Sequence, residues 1–230
     1  MSYLLVVPVI VEETAVAFAE GLKIPHENVL VVDNGVPPVL PEWDGPYHHE
    51  GQNIGVSAAW NIGARMVLGK QRDWLIIASS ALKWGEPGGA DFVAELDRCA
   101  IAVTSEHGWH LCALNRTTLE TVGLFDENFF AYYEDTDYLY RMHLAGLPSP
   151  RENNRHWDHA HCDAEYGENA HALARVEGLA ASIQMNELDY YYRRKWGAKS
   201  SFEYHKNPFG LDNYPISRWP AVERPEPSAS

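Results

Sequence analysis

The sequence predicts an α/β protein: a mixed, mainly parallel sheet flanked by helices, with a C-terminal helical extension. Three observations predict it. Short apolar runs recur at 3–10, 28–32 and 74–78, as expected of strands covered on both faces. Helix-period patterns fall between those runs, and strand and helix alternate through the first half, which favours parallel pairing with crossover helices. The length of 230 residues suits one sizeable domain with an extension.

The elements follow in order. YLLVVPVI at 3–10 reads as a buried strand rather than a signal peptide, because no basic flank precedes it and acids follow at once. Residues 12–22 read as a helix. The second strand, NVLVV at 28–32, stops at Asp33-Asn34-Gly35, a turn signal, and a loop with Pro37, Pro38, Pro41 and Pro46 follows. Val56, Ala59, Trp60, Gly63, Met66 and Val67 fall on one face of a helix at 3.6 residues per turn. A third strand spans 74–78, residues 90–103 read as a helix and 109–114 as a strand. Residues 168–195 read as a long helix with an apolar row at Leu173, Val176, Ala180 and Ile183, ending in Arg193, Arg194 and Lys195 before Trp196-Gly197. Beyond about 203 the chain is Pro-rich and short of helix signals, so it is expected to wrap over the surface, with the last ten or so residues disordered.

Composition narrows the function. No apolar run approaches 18 residues, which excludes a spanning helix. The formal net charge of -14 disfavours duplex DNA as a partner. Cys99, Cys112 and Cys162 lack metal spacing and point to a reducing, cytoplasmic setting. Eight tryptophans and twelve tyrosines suit sugar rings and nucleobases, and also simply fill cores.

The most informative stretch is VGLFDENFFAYYEDTDYLYRMHLAG at 122–146. Asp126, Glu134, Asp135 and Asp137 lie among Phe129, Phe130, Tyr132 and Tyr133. Acids beside aromatic surface lose solvation and repel one another, which is how a general base is tuned. Acids capping a helix N-terminus would produce the same pattern. In a parallel sheet, ligands bind beyond the carboxyl ends of the strands, and Asp33, Asn34, Ser79 and Ser80 lie at such ends.

VVDNG at 31–35, QNIGVSAAWNIGA at 52–64, DWLIIASSA at 73–81, the acidic segment, HWDHAH at 156–161 and YYRRKWG at 191–197 together resemble the inverting glycosyltransferases of family 2. These have the GT-A fold, a Rossmann-like nucleotide-diphospho-sugar transferase architecture. The similarity is to the rhamnosyltransferase-like branch, which includes small phage-encoded versions. It implies a GT-A catalytic domain at 1–165, with a nucleotide-binding half to about 82 and an acceptor half beyond. A helix at 166–202 would pack on that domain, and 203–230 would form an extended tail. It also implies transfer of a sugar from a nucleotide-diphosphate donor to an acceptor hydroxyl with inversion. The protein would be cytoplasmic, in the host cytoplasm if phage-encoded. The acceptor would be a glycan, a protein or a modified nucleotide, while oligomeric state is not legible.

The resemblance assigns residues as well. Asp135 matches the base, with Glu134 positioning the acceptor or raising the pKa of Asp135. Asp33 matches the residue that reads the nucleobase, next to Asn34. Pro8 and Val9 would lie under base or ribose, and Asn53, Gly55 and Asn61 would line the nucleotide side of the cleft. Asn53 is equally an N-cap candidate. Trp109 and His110 are acceptor-site or core residues, and Asp137 is either an acceptor contact or the orienter of a nearby basic group. The family's metal-binding Asp after the third strand is replaced here by Ala78-Ser79-Ser80-Ala81. Manganese or magnesium dependence is therefore open, and His159 or His161 becomes the candidate for the diphosphate or an atypical metal. A GT-A domain that binds nucleotide or glycan without turnover is the alternative reading.

Overall fold

The computed structural model describes residues 1–80, 82–84, 93–94, 96, 101–103, 109–148, 160–162 and 181–211. Its centre is a six-stranded sheet in the order β3-β2-β1-β4-β7-β6. The strands are β1 (Tyr3–Val9), β2 (Val29–Asp33), β3 (Tyr47–His48), β4 (Trp74–Ala78), β6 (Ile101–Val103) and β7 (Leu111–Asn115). β1 pairs in parallel with both β2 and β4, and β2 with β3. β7 runs antiparallel to β4 and β6, so it alone opposes the common direction. A separate ribbon pairs β5 (Leu82–Trp84) with β8 (Ala160–Cys162).

Both faces of the sheet are covered, and the apolar runs explain why. Along β1, Leu4 and Val6 point into one core layer while Leu5, Val7 and Val9 point into the other, as the two-residue period of a strand requires. Helix α1 (Glu12–Gly21) closes the second layer with Ala15 and Phe18. Helix α2 (Val56–Gly69) closes the first with Ala59, Trp60, Ala64 and Val67. Gly63 lies on the packed face of α2, where a methyl group would sit 2.0 Å from Val6 Cγ2. Helix and sheet therefore meet at van der Waals contact.

Three further α-helices belong to the described fold. Helix α3 (Arg116–Val122) is capped by Asn115, whose side chain accepts from Thr118 N at 2.8 Å. Helix α4 (Glu134–Leu144) carries the acids, and helix α5 (Ala181–Trp196) packs behind it. Phe129, Tyr192 and Trp196 form a small third core between them. One sequence expectation is corrected here. The helix foreseen over 90–103 does not reach its end, because residues 101–103 form β6. A short run with β-branched residues at both ends gains more from pairing with β7 than from continuing a helix.

The strand order has a functional consequence. From β1 the chain moves outward to β2 and β3, then returns to the other side of β1 at β4. The order reverses between β1 and β4, and in open parallel sheets ligands bind outside the carboxyl ends at that point.

Candidate active site

The crevice position is marked by the ends of β1 and β4, namely Pro8 and Val9 on one side and Ser79 and Ser80 on the other. Asn34 links the next strand to it. Its amide N–H donates to Val9 O at 2.7 Å and its side-chain Oδ1 accepts from Ile54 N at 3.2 Å. That side-chain bond ties the end of β2 to the chain entering α2.

The acidic segment is clamped onto the same region. Val56 N donates to Phe130 O at 2.8 Å and Ser57 Oγ to Phe129 O at 2.6 Å. Gly55, with φ +79°, admits this approach, since a Cβ there would lie 2.7 Å from Phe130 O. The close backbone approach at Gly55 is thus that of the 129–130 strand of loop. Asn61 works from below: its Nδ2 donates to Phe125 O and Glu127 Oε1, and its Oδ1 accepts from Phe125 N at 2.8 Å.

The four acids then divide into two kinds. Asp126 and Asp137 are fully buried, and buried Lys195 sits between them, with Nζ 2.8 Å from Asp126 Oδ2 and 2.5 Å from Asp137 Oδ1. Arg141 Nε donates to Asp137 Oδ2 at 2.9 Å and Trp196 Nε1 to Asp137 Oδ1 at 2.8 Å. Tyr191 Oη and Asn128 donate to Asp126. Burial alone would raise the Asp126 carboxyl, but Lys195 and the Asn128 donors hold it below the ordinary carboxylate value. Two carboxylates and two cations form a neutral buried unit.

Glu134 and Asp135 lie outside that unit, at the first turn of α4. Tyr133, in the left-handed region at φ 69°, turns the chain into the helix, and its hydroxyl donates to Asp189 Oδ1 on α5 at 2.9 Å. Asp135 Oδ1 accepts from Thr136 N at 2.6 Å and from Thr136 Oγ1 at 3.1 Å. Glu134 Oε2 is buried and has no hydrogen-bond donor among the described residues. Burial first, and then the Asp135 charge, raise the Glu134 carboxyl to about 8. One of the two roles foreseen for Glu134 was to raise Asp135; in the structure the Asp135 charge raises Glu134. Burial and then Asp135 also raise the Cys112 thiol, and Cys112 on β7 is in register with Ile77 on β4. The acid pair therefore stands near the carboxyl end of β4.

Several expected site residues do other work. Val9 is buried in the apolar layer under α1 and cannot lie beneath a base. Pro8, half-buried on the opposite face, is free to do so. Asn61 has no exposed surface and supports the acidic segment rather than lining a cleft. Trp109 is a core residue, edge-on to Phe125 and Tyr138 at 6.1 and 5.7 Å. Asp137 is buried against cations and offers an acceptor nothing. Asn53 Oδ1 accepts from Gly55 N at 2.9 Å, so it shapes the turn, while the N-cap itself is Gly55. Asp33 Oδ2 accepts from Val39 N, Leu40 N and Tyr47 Oη, and Oδ1 from Gly35 N. This buried carboxylate holds the Pro-rich loop.

The residues after β4 do not fit a divalent ion. Ser79 N donates to His110 O at 2.8 Å, its carbonyl accepts from Leu82 N, and Ser80 is buried. A hard cation asks for carboxylates, and among the described residues no group of three or more His, Cys, Asp or Glu is placed to hold one. His159 lies outside the described residues. His161 is on β8, paired in register with Lys83 of β5, so the backbone brings it alongside the chain that follows Ser80. The basic helix end is also reassigned. Lys195 is internal, Arg193 Nε pairs with Asp189 at 2.7 Å, and Arg194 stacks on Tyr190. Lys195 follows Tyr191 and Tyr192 at helical spacing, which was the available sign that it shares their buried face.

No protein-family model and no curated protein matches the chain. Solved structures similar to it include the mannosyltransferase PcManGT from Pyrobaculum calidifontis in complex with GDP-Man and Mn2+. That match is 15% identical, covers 64% of this chain and 55% of that one, and has a TM-score of 0.49. A second is S. aureus TarS, 12% identical over 88% of this chain and 44% of that one, TM-score 0.49. A third is S. aureus TarS 1-349 in complex with UDP, 9% identical over 86% and 72%, TM-score 0.47. The chain spans about half the length of the first two.

Proposed function

We propose that the chain is an inverting glycosyltransferase that moves a sugar from a nucleoside-diphosphate donor to an acceptor hydroxyl, with Asp135 as general base. One observation carries the reading. Of the five acids from Asp126 to Asp137, Asp126 and Asp137 are neutralised by buried cations, Glu127 pairs with Arg65, and Glu134 and Asp135, by the carboxyl end of β4, meet no cation among the described residues. The motif resemblance at 122–146 names the same pair.

The chemistry follows from that position. Asp135 takes the proton of the acceptor hydroxyl as its oxygen bonds to the anomeric carbon. The bond from that carbon to the diphosphate oxygen breaks on the opposite face, and the diphosphate leaves with the electron pair. The transition state has oxocarbenium character. Pro8 and Asn34 flank the base and ribose, Asp33 holds the Pro-rich loop beside them, and Ser79 and Ser80 border the phosphates. His161 is the leaving-group candidate supported by strand register. Because the residues present do not fit a divalent ion, no step is assigned to one.

The test is nucleoside diphosphate release with a panel of nucleotide sugars and hydroxyl acceptors. Asp135→Asn is expected to lower turnover by about 10²–10⁴-fold, the usual worth of a general base, with nucleotide affinity within a few-fold of the parent by calorimetry. Full activity in that variant removes the assignment. The second reading, a GT-A domain that binds without turnover, is favoured by Ser79-Ser80 where an acid is expected. It predicts tight donor binding with no transfer to any acceptor.

A further inference from the structure

Counting donors and acceptors around the acid pair leads to a more specific statement. Among the described residues, the cations paired with the segment, Lys195, Arg141 and Arg65, are occupied by Asp126, Asp137 and Glu127. Asp135 receives two donors from Thr136, and two donors to one oxygen stabilise a carboxylate. The Glu134 carboxylate receives a hydrogen bond from its own backbone N–H, while its buried Oε2 receives none among the described residues. A buried carboxylate oxygen without a donor is among the costliest arrangements a protein can hold, whereas the neutral acid is far cheaper. The ionisable groups facing the pair repeat the lesson. The Tyr132 phenol is raised by burial and then by Glu134, and Cys112 is raised by burial and then by Asp135. Neither brings a positive charge.

We propose that the pair carries one proton, that this proton resides on Glu134 at neutral pH, and that Glu134 donates it as a hydrogen bond to a sugar or acceptor hydroxyl while Asp135 remains the base. Glu134 keeps its proton through the cycle; only the acceptor hydroxyl's proton moves, to Asp135. The division explains why two adjacent acids do not compete for one role. It rests on the transferase reading for the identity of the hydroxyl, but not for the protonation itself.

Two measurements separate these parts. Infrared difference spectra of the full chain against Glu134→Gln, recorded from pH 5 to 10, are expected to show a neutral carboxyl C=O band at pH 7. That band should vanish in the variant and in the parent above about pH 8, where the Glu134 carboxyl titrates. Its absence at pH 7 overturns the proposal whatever the activity. Where turnover is measured, the parent is expected to lose activity on the alkaline side, as Glu134 loses its donor and sets a second negative charge beside Asp135. Glu134→Gln keeps a donor at every pH and is expected to shift that alkaline limb upward by more than one pH unit. Glu134→Ala is expected to raise the KM for the substrate whose hydroxyl it meets by roughly tenfold, the worth of one hydrogen bond. An alkaline limb that persists unshifted in Glu134→Gln overturns the donor role. Absence of turnover in every form, with the infrared band present, overturns the transferase reading and leaves the protonation standing.

Discussion

At the scale of single residues, position rather than type decides what the acids do. Glu134 and Asp137 are one turn apart, yet Asp137 meets two cations and an indole N–H while Glu134 Oε2 meets no donor among the described residues. The consequence for stability has a definite sign. Glu134 has its ordinary value unfolded and about 8 folded, so the folded state binds its proton more tightly. Stability from this group is fully present below the unfolded value, near 4.5, and is lost as pH rises to about 8. Glu134→Gln, which is neutral throughout, should match the parent's melting temperature at pH 4 and exceed it by about 4 °C or more at pH 9, taking about 2–4 °C per kcal/mol. Scanning calorimetry at the two pH values checks it; a variant less stable at pH 9 contradicts the burial of this carboxyl.

Elements are joined by the buried ion unit. α5 supplies Lys195 and Trp196, α4 supplies Asp137 and Arg141, and the loop before α4 supplies Asp126. Breaking a buried pair costs more than never having built it, because the surviving charge is left without a partner. Lys195→Met is therefore expected to destabilise by about 3–5 kcal/mol, while Lys195→Met with Asp126→Asn should recover much of it, because Asp137 and Arg141 still neutralise each other. Denaturant unfolding of the single and double variants measures the difference. Gly63→Ala tests the helix–sheet contact at α2. With Val6 Cγ2 2.0 Å from the added methyl, an overpacking loss of about 1–3 kcal/mol is expected.

For the whole molecule, the same unit makes the C-terminal helix part of the fold. Tyr192, Lys195 and Trp196 are fully buried against the acidic segment. A chain ending at 180 would leave Asp126 without its cation and Asp137 with Arg141 alone. It is expected to lose its cooperative thermal transition and its near-ultraviolet signal; a truncated chain that still melts sharply shows that α5 is dispensable.

How much was legible in the sequence differs by the reach of the interaction. The apolar runs of β1, β2 and β4 and the helix face from Val56 to Val67 were readable because their cause is local: a period of two or 3.6 residues meeting a core. The mainly parallel sheet followed from their alternation. The acids between Asp126 and Asp137 also stood out, as charge set among aromatic side chains, and the motif resemblance singled out Glu134 and Asp135 among them. What only the tertiary structure decided were the partners across long separations. Asp126 finds Lys195 69 residues away, Asn61 finds Phe125 64 away, and Trp109 turns into the core. Sequence pattern reports which face of an element is apolar. Whether a given polar group is paired or left alone depends on which other elements arrive beside it, and that separates Asp137, a buried strut, from Glu134 and Asp135, the pair proposed for chemistry.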